Sequence, residues 1–212
     1  GFAKNMITGF ARLSGHVVGV VANQPNHLGG VIDIKGAEKG ARFVRFCDAF
    51  NIPIISFQDT PAYLIGKEME QGGMIYKGAK LLHAFAEATV PVVTVIVRKA
   101  YAGAYIAMGS QYLGADFVYA WPGAEISSVA PKTAASIIFR KEIAEAKDKE
   151  EIEALYQYYH EKYVDTHRAA ALRHINDIIE PKDTRPVLIK SLMLLKGKRK
   201  TRPEKKHGNI PL

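Results

Sequence analysis

Two apolar runs, Ile52 to Phe57 and Val90 to Val97, constrain the fold of this chain more than any other feature. Each is short, rich in β-branched residues and bounded by turn formers, so each reads as a buried strand. The segment between them, Met74 to Ala88, carries its apolar residues at helical spacing. The same unit precedes it: a strand over Val17 to Ala22, then a helix over Gly36 to Asn51, with Ala37, Ala41, Phe43, Val44, Phe46, Cys47 and Phe50 recurring at helical spacing. Strands alternating with helices predict parallel pairing and an α/β fold. Further strands are expected at Val31 to Ile34 and Phe117 to Trp121, with Glu125 to Val129 beyond the Pro122-Gly123 stop. Further helices are expected at about Ala104 to Leu113, from about Thr133, over Glu142 to Tyr163 as one or two surface helices, over Ala169 to Ile179 and over Pro186 to Leu195.

The 212 residues suit one well-buried domain with a tail. The formal net charge of +8 lies entirely in the last stretch: from Pro181 onward ten Lys or Arg face only Asp183 and Glu204. A basic tail on a neutral body reads as a solvated end or a subunit contact. Without aromatic residues to stack on bases, it is not read as a nucleic-acid-binding element. The single cysteine, Cys47, sits among Phe43, Phe46 and Phe50 and reads as a small buried hydrophobe. No apolar stretch approaches the length of a membrane span, and the start Gly1-Phe2-Ala3-Lys4-Asn5 has no leader pattern, so the expected compartment is reducing.

The chemistry-bearing segments follow the two central strands. Asp59-Thr60-Pro61-Ala62-Tyr63-Leu64-Ile65-Gly66 follows the first, and Arg98-Lys99-Ala100-Tyr101-Ala102-Gly103-Ala104-Tyr105 ends the second. Each places small-residue backbone at the carboxyl end of a strand, where open α/β sheets bind their ligands. Two such turns on neighbouring strands can aim main-chain N–H groups at one developing negative oxygen, so the pair reads as a backbone oxyanion hole. Close helix-to-strand packing asks for the same small residues at Gly103-Ala104, and the second loop tips the balance toward function.

Other candidates are weaker. Asp59 is a possible base, but an Asp before Thr-Pro is also an ordinary turn former, and the structural role is favoured. Gly72-Gly73 reads either as a turn or as a helix start whose bare N–H groups face an anion. The seven histidines show no metal-ligand spacing, so no metal is expected. No GxGxxG or P-loop pattern occurs, which argues against a nucleotide cofactor.

At these residues the chain resembles the carboxyltransferase (β) subunit of biotin-dependent acyl-CoA carboxylases, of the propionyl-CoA carboxylase and methylmalonyl-CoA decarboxylase type. The matching segments run in order from Asn5 to Arg12, Gly19 to Pro25, Lys39 to Asn51, Gly78 to Pro91, Arg98 to Tyr105, Tyr119 to Ile126, Ile137 to Arg140 and Lys206 to Leu212. The resemblance is to the C-terminal domain. It implies a crotonase-like ββα spiral over residues 1–180, with residues 181–212 as a helix and basic tail of the same domain. It further implies transfer of a carboxyl group between carboxybiotin, held on a biotin carboxyl carrier protein loaded by a biotin carboxylase subunit, and acyl-CoA as substrate. Gly103, Ala104, Ala62 and Tyr63 would stabilise charge on the biotin ureido oxygen, so that no side-chain base is needed. Tyr101, Tyr105, Ile106, Gly72 and Gly73 would bind substrate, Ile106 standing where the family lines its acyl pocket.

In the family the site lies between the N-terminal half of one subunit and the C-terminal half of another. The chain is therefore expected to be one part of a larger enzyme, incomplete alone, within a homo-oligomer of dimers stacked in threes. The expected location is the cytoplasm, or the mitochondrial matrix in a eukaryote. A decarboxylase subunit of a sodium-pumping complex and a non-catalytic assembly module are the alternative readings. Two departures touch the loops: Pro-Gly-Phe-Leu-Pro-Gly becomes Pro61-Ala62-Tyr63-Leu64-Ile65-Gly66, and Tyr-Gly-Gly-Ala-Tyr becomes Tyr101-Ala102-Gly103-Ala104-Tyr105. Alanine favours negative φ more than glycine does, so the first of these loops is expected to be shaped differently.

Overall fold

The computed structural model describes every residue except Arg202, Lys205 and Leu212, so two of the tail cations and the last residue of the closing motif lie outside the described residues. The chain opens with an edge strand, β1 (Met6–Leu13), that turns through Ser14-Gly15 into antiparallel β2 (His16–Asn23). Both turn residues have positive φ, 49° and 82°, the twist a two-residue hairpin requires. β1 escapes a pattern reading because, at the sheet edge, half of its residues are exposed and they follow no clean alternation.

Residues 31–33 do not form the expected strand. The Asp33 carboxylate accepts a hydrogen bond from the Gly36 N–H at 2.7 Å, which starts helix α1 (Ile34–Ala49) at once. Only Ile32 keeps an extended pairing, a parallel bridge to Tyr63.

The chain continues through β3 (Ile54–Thr60), a short α2 (Lys67–Gln71), α3 (Met74–Glu87) and β4 (Val92–Tyr101). β2, β3, β4 and β5 (Phe117–Ala120) are parallel neighbours, as the alternation predicts. The ten-residue β4 serves two partners along one edge, β5 and then β6 (Glu125–Ser127). Alternate residues of β3 enter opposite cores: Ile54 packs with α1 and α3, whereas Ile55 joins Val18, Val93 and the helix α9 (Thr184–Leu194) on the other face. Cys47 is buried in the first core. Burial, aided by neighbouring Asp48, pushes its thiol up to about 11.

The helix expected over 104–113 is shorter. α4 spans Ala102–Ala107, Gly109 turns at φ 79°, and Gln111–Leu113 form a separate 3-10 turn. The Met108 carbonyl is taken by Ser56 Oγ and Gln58 Nε2 from β3, so packing against the sheet ends the helix. Beyond β6 come α5 (Pro131–Ile138), α6 (Arg140–Glu145), α7 (Lys149–Tyr163) and α8 (Thr166–Ala171). The helix expected over 169–179 is therefore mostly absent. Arg173 adopts φ 60°, and residues 177–178 extend into β7 (Asp177–Ile178), which takes the open edge of β5. Among the described residues no helix is long and apolar enough to cross a membrane.

Candidate active site

The register of β3 on β4 pairs Thr60 with Ala100, so the two loops leave neighbouring strands side by side. The first loop is held from outside: the Ile32 N–H donates to the Ala62 carbonyl at 3.0 Å, and the Leu64 N–H donates to the Ile32 carbonyl at 2.8 Å. Among the described residues no acceptor takes the N–H of Ala62 or Tyr63. The Tyr63 ring is wedged between helices, its hydroxyl donating to the Gly78 carbonyl at 3.1 Å. A methyl built on Gly103 would meet the same ring at 3.8 Å. Burial holds the Tyr63 phenol well above its ordinary range, so this side chain supplies shape and not protons.

The second loop is the start of α4. Tyr101 stands at its N-cap without a side-chain cap bond, and the N–H groups of Ala102, Gly103 and Ala104 have no intrahelical acceptor. The three differ in access. Gly103 is exposed and Ala102 half-buried, whereas Ala104 is 0% exposed. Ala102 belongs to the β4–β6 ladder through the Tyr101–Ser127 pair, so Gly103 is the open amide of the three, and Ala104 lines no part of the cavity at Gly103. Ala102 itself sits at φ 53°, a left-handed conformation costly for any residue but glycine. The altered loop is thus shaped like a glycine turn, with the alanine bearing strain.

Gly103 opens on a cavity of about 570 Å3 that Tyr105 and Ile106 also line. Tyr112, Tyr163 and Leu172 close its far side, with His174 beside them. The Tyr105 hydroxyl donates to the His174 carbonyl at 3.3 Å, and the Tyr112 hydroxyl lies 2.6 Å from His174 Nδ1. Burial and the neighbouring Tyr112 hold the Tyr105 phenol above its ordinary range.

Of the sequence candidates, the structure brings Gly103, Tyr105 and Ile106 to this cavity. Ala62 and Tyr63 form none of its wall, although the Tyr63 ring lies beside Gly103. Tyr101 is buried with its hydroxyl bonded to Glu125, away from the cavity. Gly72 and Gly73 are spent locally: their N–H groups donate to the carbonyls of Glu68 and Glu70, closing α2. The bare-amide role read for those two glycines is therefore corrected, because the end of one helix uses them before the next begins.

Asp59 Oδ1 accepts from the Lys99 N–H at 3.3 Å and stitches β3 to β4, in line with the structural reading. Sequence reading did not single out Tyr112, Tyr163 or His174, which reach the cavity from three separate segments. The one local signal was the aromatic spacing of Tyr156, Tyr159 and Tyr163 along α7.

Comparison with known proteins gives a consistent picture. The family model described as a carboxyl transferase domain matches residues 1–210. The chain is 54% identical to the carboxyltransferase subunit of propionyl-CoA carboxylase from Haloferax mediterranei over 212 residues, covering 100% of this chain and 41% of that relative. It is 51% identical to the alpha subunit of methylmalonyl-CoA decarboxylase from Veillonella parvula over 211 residues, covering 100% of this chain and 40% of that relative. The transcarboxylase 12S crystal structure, a hexamer with methylmalonyl-coenzyme A bound, superposes with a TM-score of 0.95 at 47% identity, covering 99% of this chain and 41% of that one. The chain thus spans about two fifths of the length of these relatives, and its α/β fold is the crotonase-like one they share. This chain belongs to the carboxyl transferase domain family.

Proposed function

We propose that this chain forms the biotin side of a carboxyltransferase site, moving a carboxyl group between biotin on a partner carrier and an acyl-CoA held by a further part of the enzyme. The observation that carries the reading is the Gly103 amide, uncapped at the start of α4 and open to a cavity beside a second strand end. The residues fit the group. The walls at Ile106, Leu172 and Tyr163 suit an apolar bicyclic ring, and a main-chain N–H suits an uncharged ureido oxygen that gains negative charge. Biotin, when bound, supplies the ring nitrogen that carries the carboxyl group.

The chain's own part is positional. Gly103 donates to the oxygen on which charge grows, an interaction worth about 3 kcal/mol, or roughly a hundredfold in rate. Tyr63 and the Ile32 bridge hold the neighbouring loop rigid, so the donors are fixed before the ligand arrives. Tyr105 and Ile106 shape the wall, Ile106 presenting an apolar face to the acyl group. Stabilisation of this oxygen serves transfer in either direction, so the same geometry also suits a decarboxylase subunit. The finer assignments follow from the same reading: a biotin carboxyl carrier, a biotin carboxylase and an acyl-CoA-binding half as partners, assembly of dimers stacked in threes, and a cytoplasmic or matrix location.

The test is a pair of substitutions in the complete enzyme. Gly103→Ala keeps the N–H, and its methyl meets only the edge of Tyr63 at ordinary contact distance, so turnover should fall by less than about threefold. Gly103→Pro removes the N–H and should cost roughly a hundredfold in kcat. Unchanged turnover in a folded Gly103→Pro enzyme would instead favour a non-catalytic assembly role.

A further inference from the structure

The pole of the sheet opposite the site holds a larger groove, of about 680 Å3. Its floor is the amino ends of the parallel strands, where the β1–β2 turn meets the segments entering β3 and β4 at Pro53 and Pro91. One wall is α9, and the other is the first stretch of the basic tail. The groove has two chemistries side by side. Leu13, Val17, Leu192 and Met193 give an apolar strip, with Met193 68% and Val17 39% exposed. Lys196, Lys198, Arg199 and Lys200 line the rim with His16, and no Asp or Glu is among the described lining residues.

Part of that charge is used within the fold. Lys198 Nζ pairs with Asp116 at 2.7 Å and donates to the Val90 carbonyl at 2.9 Å, pinning the tail across the mouth of β4. Lys200 reaches the Ala88 carbonyl at the end of α3, where a cation is favoured by the helix dipole. Lys196 and Arg199 are exposed and have no carboxylate within 4.0 Å among the described residues. The tail is thus not simply solvated: two of its cations fasten it down, and two others are held over an exposed apolar strip.

We infer that this groove is a docking site for an acidic, amphipathic segment of a partner polypeptide. Charge complementarity calls for carboxylates opposite Lys196 and Arg199, and the strip from Val17 to Met193 calls for aliphatic side chains on the adjoining face. A nucleic acid fits less well, because no Phe, Tyr or Trp among the described lining residues offers a stacking surface.

The test uses the full-length protein and a fluorescein-labelled helical peptide of about 16 residues, with leucines on one face and glutamates on the other. Its controls are a sequence-scrambled isomer and a single-stranded oligonucleotide of equal charge. Fluorescence anisotropy should show the amphipathic peptide binding at least about tenfold tighter than its scrambled isomer, and weakening as salt rises from about 50 to 300 mM. The double variant Lys196→Glu with Arg199→Glu, and separately Met193→Asp, should each weaken binding at least about tenfold. All three positions are exposed, so the variants should melt with the parent protein.

Absence of peptide binding, or equal binding of the scrambled isomer, overturns the proposal. Tighter binding of the oligonucleotide, insensitive to Met193→Asp, overturns it in favour of nucleic acid. Self-association on sedimentation that the double charge reversal abolishes assigns the groove to a second copy of the chain and overturns the partner assignment.

Discussion

Ala102→Gly should stabilise this protein although it removes a side chain. Ala102 opens α4 at φ 53°. A left-handed conformation costs a non-glycine residue roughly 1–2 kcal/mol, because its Cβ crowds the following carbonyl. Glycine removes that cost but adds freedom to the unfolded chain, worth roughly 0.5–1 kcal/mol in the opposite direction. The net gain is then roughly 0–1.5 kcal/mol, centred near 0.75, and for a chain of this size each kcal/mol moves the midpoint by roughly 2–4 °C, so Tm should rise by about 2–3 °C and by no more than about 6 °C. Ala104→Gly, two residues on in the same helix, is the internal control. Ala104 is fully buried and absent from the positive-φ residues, so glycine there relieves nothing, and helix propensity alone costs about 1 kcal/mol. The two Ala-to-Gly changes should therefore shift Tm in opposite directions by differential scanning calorimetry. A fall in Tm for Ala102→Gly, or a rise for both, would refute the strain assigned to this turn and with it the claim that backbone geometry is enforced beside Gly103.

Other perturbations follow from the same contacts. Asp33→Ala removes the cap of α1 and should cost about 1 kcal/mol in urea denaturation. Gly30→Ala should prevent normal folding, since its methyl would lie 2.2 Å from the Asp59 carbonyl oxygen at φ +83°; a protein with native Tm would contradict that packing. Tyr63→Phe gives up the hydrogen bond to the Gly78 carbonyl and should lower stability by about 1 kcal/mol, while the ring keeps its place beside Gly103. Cys47 titrates higher folded than unfolded, so its neutral thiol contributes stability in full below pH 9.0, and that contribution is lost as pH rises toward about 11. Cys47→Ala should flatten alkaline unfolding over that window, and an unchanged pH profile would count against the burial argument.

The amino-acid sequence alone determined the alternation of strands and helices, the parallel centre of the sheet and the two small-residue loops at the ends of β3 and β4. These are local facts: side-chain period tells a strand from a helix, and small residues after a strand announce exposed backbone. It also told that Cys47 is buried, although two of the rings read around it, Phe46 and Phe50, turn out exposed.

Tertiary structure alone decided the rest. Residues 177–178 become β7 because β5 has an open edge, whereas the helix that displaces the strand expected at 31–34 starts on a local cap, the Asp33 carboxylate on the Gly36 N–H. Period could not choose between Gly103 and Ala104 as the accessible amide, since that depends on which side of α4 the sheet covers. Nor could it bring Tyr112, Tyr163 and His174 around the cavity on which Gly103 opens, or pin Lys198 on Asp116 across 82 positions of chain. Contacts between segments distant in sequence are selected by what must be buried and paired in the folded chain, and no local pattern records that competition.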